Sequence, residues 1–119
     1  MNEQGTYVTC IKLQKQLHHR LKQQIINDGY GMRGKSKWIV ESIELLLKLS
    51  DYPSLVDLAD DMEQLSDMLS IRMPETLVLR IDNAVIQIRR QYPTIEGVKS
   101  NLIRASIIQR LLRESLRLP

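Results

Sequence analysis

A motif recurs in this chain about sixty residues after itself. Ile11-Lys12-Leu13, followed by Leu17, Leu21 and Ile25, is answered by Ile71-Arg72-Met73, followed by Leu77, Ile81 and Val85, each 60 positions on. Farther along, Lys35-Ser36-Lys37-Trp38-Ile39 is matched by Lys99-Ser100-Asn101-Leu102-Ile103, now 64 positions on. The repeated unit reads as one short strand and two helices. Alone, such a unit leaves apolar faces uncovered and both strand edges unpaired. Two copies can cover one another. The expected architecture is mostly α with a two-stranded antiparallel ribbon, two such units being fused in one chain as a pseudo-dimer.

The local signals support each element. Tyr7 to Leu13 is rich in β-formers and reads as a strand. Leu17, Leu21, Ile25 and Ile26 then recur at helical spacing. Asn27-Asp28-Gly29 ends that helix, with Gly29 suited to a left-handed terminus. Ser36 is a candidate N-cap for a second helix, with Ile39, Ile43, Leu46 and Leu47 on one face, to about Leu49. Asp51-Tyr52-Pro53-Ser54 breaks it, and Ser54 is placed to cap a short acidic helix through Leu65. Met68 to Met73 reads as the second strand. Pro74 suits a helix start, and Glu75 in the first turn complements the helix dipole. The stripe is Leu77, Ile81, Val85 and Ile88, and Tyr92-Pro93-Thr94 stops it. Ser100 is the expected cap of a last helix with Ile103, Ile107 and Leu111 inward. The divisions are residues 1–50 for unit one, 51–67 for an acidic linker and 68–119 for unit two.

Pairing the two strands antiparallel divides their side chains by the two-residue alternation of a strand. Thr9, Ile11 and Leu13, with Leu69, Ile71 and Met73, face the helices. Cys10 and Lys12, with Ser70 and Arg72, face out. A ribbon with small polar and cationic side chains outward fits the DNA major groove, where Ser, Lys and Arg reach base edges.

Charge is distributed in blocks. Residues 1–50 carry net +4, residues 51–67 carry six acids and no base, and residues 68–119 carry net +5. Two basic blocks imply a polyanionic partner, and the acidic linker should stay off it. The chain has no Phe and one Trp, so the core must be aliphatic. A single Cys excludes an internal disulfide and fits a reducing cytoplasm. No signal pattern opens the chain and no apolar run approaches the ~20 residues of a membrane span.

Leu69-Ser70-Ile71-Arg72-Met73-Pro74-Glu75-Thr76-Leu77 resembles the strand and helix start of the ribbon-helix-helix DNA-binding proteins, the Arc and MetJ group. The first unit departs from the pattern, with Gln14-Lys15 in place of Pro74-Glu75. Most members are homodimers of one unit. The tandem form is similar in architecture to the accessory DNA-binding proteins of conjugative-plasmid relaxosomes. The resemblance implies that Cys10, Lys12, Ser70 and Arg72 read bases in double-stranded DNA. It also implies that the second helix of each unit holds phosphate at its start, at Lys35, Ser36 and Lys37 and at Lys99, Ser100 and Asn101. Free N–H donors and a partial positive charge at a helix start suit that task.

Other signals are weaker. Gly29-Tyr30-Gly31-Met32-Arg33-Gly34-Lys35-Ser36 matches a nucleotide-binding loop letter for letter. That motif needs a buried strand before it, and Leu17–Ile26 has helical period instead. His18 and His19 point about 100° apart on a helix and do not chelate together, so both read as exposed. Cys10 reads as a small groove-facing filler, Trp38 as packing at a helix start, and Met62, Met68 and Met73 as core or linker packing. Asp60-Asp61 has no partner to poise it for acid–base work. No enzyme and no cofactor are expected. The expected role is transcriptional regulation or assembly of a nicking complex with a relaxase, as one chain or as a homo-oligomer or strand-exchanged dimer. The other classes are an antitoxin-like module binding a protein partner and a small nucleotide-binding protein.

Overall fold

The computed structural model describes residues 5–31, 33–60 and 64–116. Met32 of the glycine-rich turn, Asp61, Met62 and Glu63 of the acidic segment, and both chain ends lie outside them. Among the described residues there are two strands and five helices in the order β1 (Thr6–Gln14), α1 (Lys15–Asn27), α2 (Lys35–Leu47), α3 (Tyr52–Ala59), β2 (Leu65–Pro74), α4 (Glu75–Gln91) and α5 (Val98–Leu116). The chain is mostly helical, and β1 and β2 form one two-stranded antiparallel sheet. No helix among these residues is long and apolar enough to cross a membrane.

The strands pair with Cys10 opposite Ser70, flanked by Val8 opposite Arg72 and Lys12 opposite Met68. Regular pairing runs from Thr6↔Pro74 to Leu13↔Asp67, where an irregularity leads to Gln14↔Leu65. Alternation sorts the faces as expected. Ile11, Leu13, Leu69, Ile71 and Met73 are buried, Thr9 is half-buried, and Cys10, Lys12, Ser70 and Arg72 are exposed. Each fully buried aliphatic side chain on that inner face contributes about 1.5–3 kcal/mol.

The helices close over this inner face. Leu21 and Ile25 from α1, Trp38, Ile39, Ile43 and Leu46 from α2, and Leu77, Ile81, Ala84 and Ile88 from α4 are buried in one cluster with the strands. α5 is its central rod. It packs on α2, α3, α4 and β1, and every side chain from Asn101 to Ile107 is buried. A helix buried on all sides is hydrophobic all round or carries paired polar groups; α5 does the latter with Asn101, Arg104 and Ser106.

Several boundaries differ from expectation. β2 starts at Leu65 rather than Met68, so the division at residue 67 falls inside a strand. The added residues pair with the end of β1, Leu13 opposite Asp67 and Gln14 opposite Leu65, and His18 Nδ1 lies 2.8 Å from Asp67 Oδ2. His18 is accordingly half-buried and bonded rather than exposed, while His19 is exposed. The acidic helix ends at Ala59, not Leu65. It is no mere linker, because Pro53, Val56 and Ala59 are buried in the common core. Ser54 Oγ donates to the Asp51 carbonyl at its start. Met68 is 60 % exposed on the outer ribbon face rather than packed, whereas Met73 is buried as expected. Ile26, placed on the apolar stripe by spacing, is also 60 % exposed. Gly29 takes φ +83°, the left-handed value expected after α1.

Candidate nucleic-acid interface

The outer face of the ribbon carries Val8, Cys10 and Lys12 on one strand and Met68, Ser70 and Arg72 on the other. At its centre Cys10 Sγ and Ser70 Oγ are 3.4 Å apart. Arg72 lies across the face and donates through Nη1 to Thr6 Oγ1 at 3.5 Å. Val8 was not singled out from the sequence, and Met68 was read there as core or linker packing rather than as part of this face. Their signal was the alternation itself, which places any residue two positions from an outward one on the same face. Both are large apolar side chains, 57 % and 60 % exposed.

Each strand is met by a helix from the other half of the chain, β2 by α2 and β1 by α5. Ser36, in the first turn of α2, accepts a hydrogen bond from the Arg72 backbone N–H at 2.9 Å. Arg104, in the second turn of α5, donates from Nη1 to the Lys12 carbonyl at 3.0 Å. The main chains of Lys12 and Arg72, the two outward cations, are therefore tied to helix starts. This use of Ser36 explains why it does not cap: the N-cap position is Gly34, and the Ser36 hydroxyl is spent on the strand edge. Ser100 likewise lies inside the first turn of α5, which begins at Val98. The first intrahelical bonds are Trp38 N–H to Gly34 O in α2 and Asn101 N–H to Gly97 O in α5. The N–H groups of residues 35–37 and 98–100 precede them and lack an intrahelical acceptor.

The two helix starts are not equal. Lys35 and Ser36 are half-buried and Lys37 is exposed, with its Nζ 5.8 Å from the Tyr30 ring centre. Lys99 and Ser100 are half-buried, but the Asn101 side chain is turned inward. Its Nδ2 donates to Asp60 Oδ1 at 2.8 Å and to the Glu96 carbonyl at 3.1 Å. Its Oδ1 accepts from Arg104 Nη2. Arg104 is 7 % exposed and its Nε has no partner. Burial pulls the guanidinium below its usual pKa range, and the Asp60 carboxylate opposes that shift. The α5 start thus holds an internal carboxylate from the acidic segment, which the sequence had set apart from the basic face.

The glycine-rich turn has its own structural task. Its preceding segment is helix α1, not a strand. Tyr30 donates to Glu41 Oε1, and Trp38 Nε1 donates to Asp28 Oδ2 at 2.8 Å. A Cβ on Gly34 would lie 2.3 Å from Tyr30 Cβ, so the close chain crossing requires glycine there. Into this turn reaches Arg110 of α5, its guanidinium carbon 4.3 Å from the Trp38 ring centre and 5.6 Å from that of Tyr30. Trp38 is wholly buried, as expected for packing at a helix start. No family model, curated protein or solved structure matches the chain.

Proposed function

We propose that the chain is a sequence-specific duplex-DNA-binding protein of the ribbon-helix-helix kind, with its two units fused as a pseudo-dimer and the ribbon inserted in the major groove. The observation that carries this reading is the register. A shift of 60 positions takes Val8 to Met68, Cys10 to Ser70 and Lys12 to Arg72. The same shift exchanges the pair Val8↔Arg72 with the pair Lys12↔Met68 and leaves Cys10↔Ser70 at the centre. Two strands of a repeated unit paired about a local two-fold axis give that pattern.

The face so formed suits base edges. Arg72 matches the O6 and N7 acceptors of guanine in bidentate fashion, Lys12 offers a single strong donor, and Cys10 and Ser70 are small enough to let the ribbon approach. Val8 and Met68 supply apolar contact for thymine methyl groups. The α2 and α5 starts flank the ribbon edges, where the sugar–phosphate walls of the groove would lie, with Lys35, Ser36 and Lys37 on one side and Lys99 and Ser100 on the other. Binding of this kind serves either a transcriptional regulator or an accessory factor at a plasmid transfer origin. These two roles share one chemistry.

Selection of bound duplexes from a random pool tests the reading, followed by anisotropy titration of the enriched site. Arg72→Ala should cost about 1–3 kcal/mol on that site and relax the preference at one base pair. An equal loss on every sequence, or no enrichment at all, refutes it.

A further inference from the structure

We propose that a groove between α1 and the outer edge of β2 binds a small amphipathic anion, a carboxylate carried on an aliphatic or aromatic body. Leu21, Ile25 and Leu69 form its buried floor, and Ile26 and Met68 form its walls. Its volume is about 490 Å³, within the ~300–1,000 Å³ of small-molecule sites. The two wall residues are each 60 % exposed, and a ligand body between them would remove apolar surface from water that the fold leaves wet.

Charge selects the occupant. Lys22 and Lys35 line the groove, and neither forms an ion pair among the described residues. The third polar side chain on the wall, His18, is already engaged by Asp67. Lys35, which also lines the groove, is the first residue of α2, so the positive pole of a 13-residue helix lies beside it. An apolar floor with two unpaired ammonium groups and a helix start at its rim fits one carboxylate on a body of roughly ten carbons. The second unit lacks this selectivity, because Asp82 stands 60 positions after Lys22. One such site per chain is therefore expected. Its existence does not depend on DNA binding. Its regulatory consequence does, because Lys35 is shared with the proposed phosphate contact, so that anion and DNA compete.

Titration calorimetry of the full chain with decanoate, kept below its micelle-forming concentration, tests the groove without DNA. Saturable binding at one decanoate per chain is expected, with decanol binding at least tenfold more weakly. Lys22→Ala and Lys35→Ala should each weaken decanoate about tenfold. Ile26→Trp, which fills the groove from an exposed position, should abolish it, and Lys48→Ala, at the far end of α2, should leave it unchanged. Absence of saturable heat, equal affinity for decanol, or the same loss in Lys48→Ala overturns the proposal. So does a chain dimer in sedimentation that Ile26→Trp dissolves, since a second copy would then be the occupant. Decanoate binding that persists when no duplex is ever bound supports the groove and sinks the DNA reading instead. On a DNA-binding chain, decanoate should lower affinity for the enriched duplex severalfold, and no change in that affinity refutes the competition.

Discussion

Arg110→Ala should destabilise the protein by about 3 kcal/mol. The side chain is 12 % exposed, and it joins α5 to the α2 start and the glycine-rich turn. Nη1 donates to the Trp38 carbonyl at 2.8 Å and to Ser42 Oγ at 3.3 Å, and Nη2 donates to the Tyr30 hydroxyl at 3.1 Å. Glu41 Oε1 lies 3.6 Å from Nη1. A desolvated cation over an indole face contributes about 2 kcal/mol, and a hydrogen bond to a charged group about 1.5–3 kcal/mol. These terms do not add, since one side chain makes them all. Breaking a buried ion pair costs about 3–5 kcal/mol. The Glu41 carboxylate is 36 % exposed and recovers water, which brings the figure to the lower end. Against a total of about 5–15 kcal/mol, the loss is large enough to read from urea unfolding followed by far-UV circular dichroism. Arg110→Lys keeps the charge but not the planar fork, so it should fall between wild type and alanine. A loss under about 1 kcal/mol for alanine, or wild-type stability for lysine, would refute the reasoning that α5 is fastened to α2 and the glycine-rich turn here.

Gly34→Ala should cost about 1–3 kcal/mol through overpacking against Tyr30, whose backbone oxygen is 2.5 Å from the new Cβ, and a wild-type melting temperature would contradict this. Lys35→Ala should weaken binding of every duplex alike and lower the salt-dependence slope by about one, read by anisotropy across a salt series; an unchanged slope excludes a phosphate contact. The hydrogen bond to His18 holds the Asp67 carboxyl below its usual pKa against the opposing effect of burial, which ranks next, with lesser help from Ser66 and from the charges of His18 and Lys15. A depressed carboxyl stabilises above its unfolded pKa near 4, and that contribution disappears as pH falls through the folded value. Asp67→Asn should therefore flatten the acid limb of stability below about pH 4; the test is urea unfolding from pH 6 down to pH 2, where an unaltered limb argues against the pairing.

What the sequence made legible was whatever depends on near neighbours. The alternation of Ile11, Leu13, Leu69, Ile71 and Met73 is local, and so is the three-and-four spacing of Leu77, Ile81 and Ile88; all are buried as the periodicity requires. Gly29 and Glu75 act through their own turns of backbone. What escaped was decided by distant partners. Ser66-Asp67 reads as acidic linker until β1, more than 50 positions earlier, pairs with it, Leu13 opposite Asp67. Ser36 reads as a cap until the Arg72 N–H claims its hydroxyl. Arg104 and Arg110 carry no local signal, and their acceptors lie 92 and 72 residues away. Of the proposed interface, the outward positions of Cys10, Lys12, Ser70 and Arg72 were legible, and those of Val8 and Met68 were missed. The unequal surroundings of the two helix starts were not, since Asp60 meets Asn101 only through the fold.

That inequality bears on what kind of site the chain would read. Two identical chains paired about a two-fold axis present equal halves and suit a palindrome. Here the register keeps the two-fold geometry while the side chains break it, with Lys12 against Arg72, Cys10 against Ser70 and Val8 against Met68. Arginine offers a planar fork and lysine a flexible point charge, so equivalent positions discriminate bases with different strength. The flanking helix starts diverge in the same sense. α2 carries Lys35 and Lys37 at its start against the single Lys99 of α5; each start also meets an acid, Asp28 through Trp38 in α2 and Asp60 through Asn101 in α5, where Asp60 also acts on Arg104. On the DNA-binding reading, the α2 side should supply more of the phosphate attraction, and the Arg72 strand more of the base discrimination. Because α2 docks on the strand that carries Arg72, both preferences fall on the same half of the ribbon. A bound duplex would then have one strong half-site and one weak one in fixed orientation, and inverting the strong half-site alone should abolish preference rather than halve it.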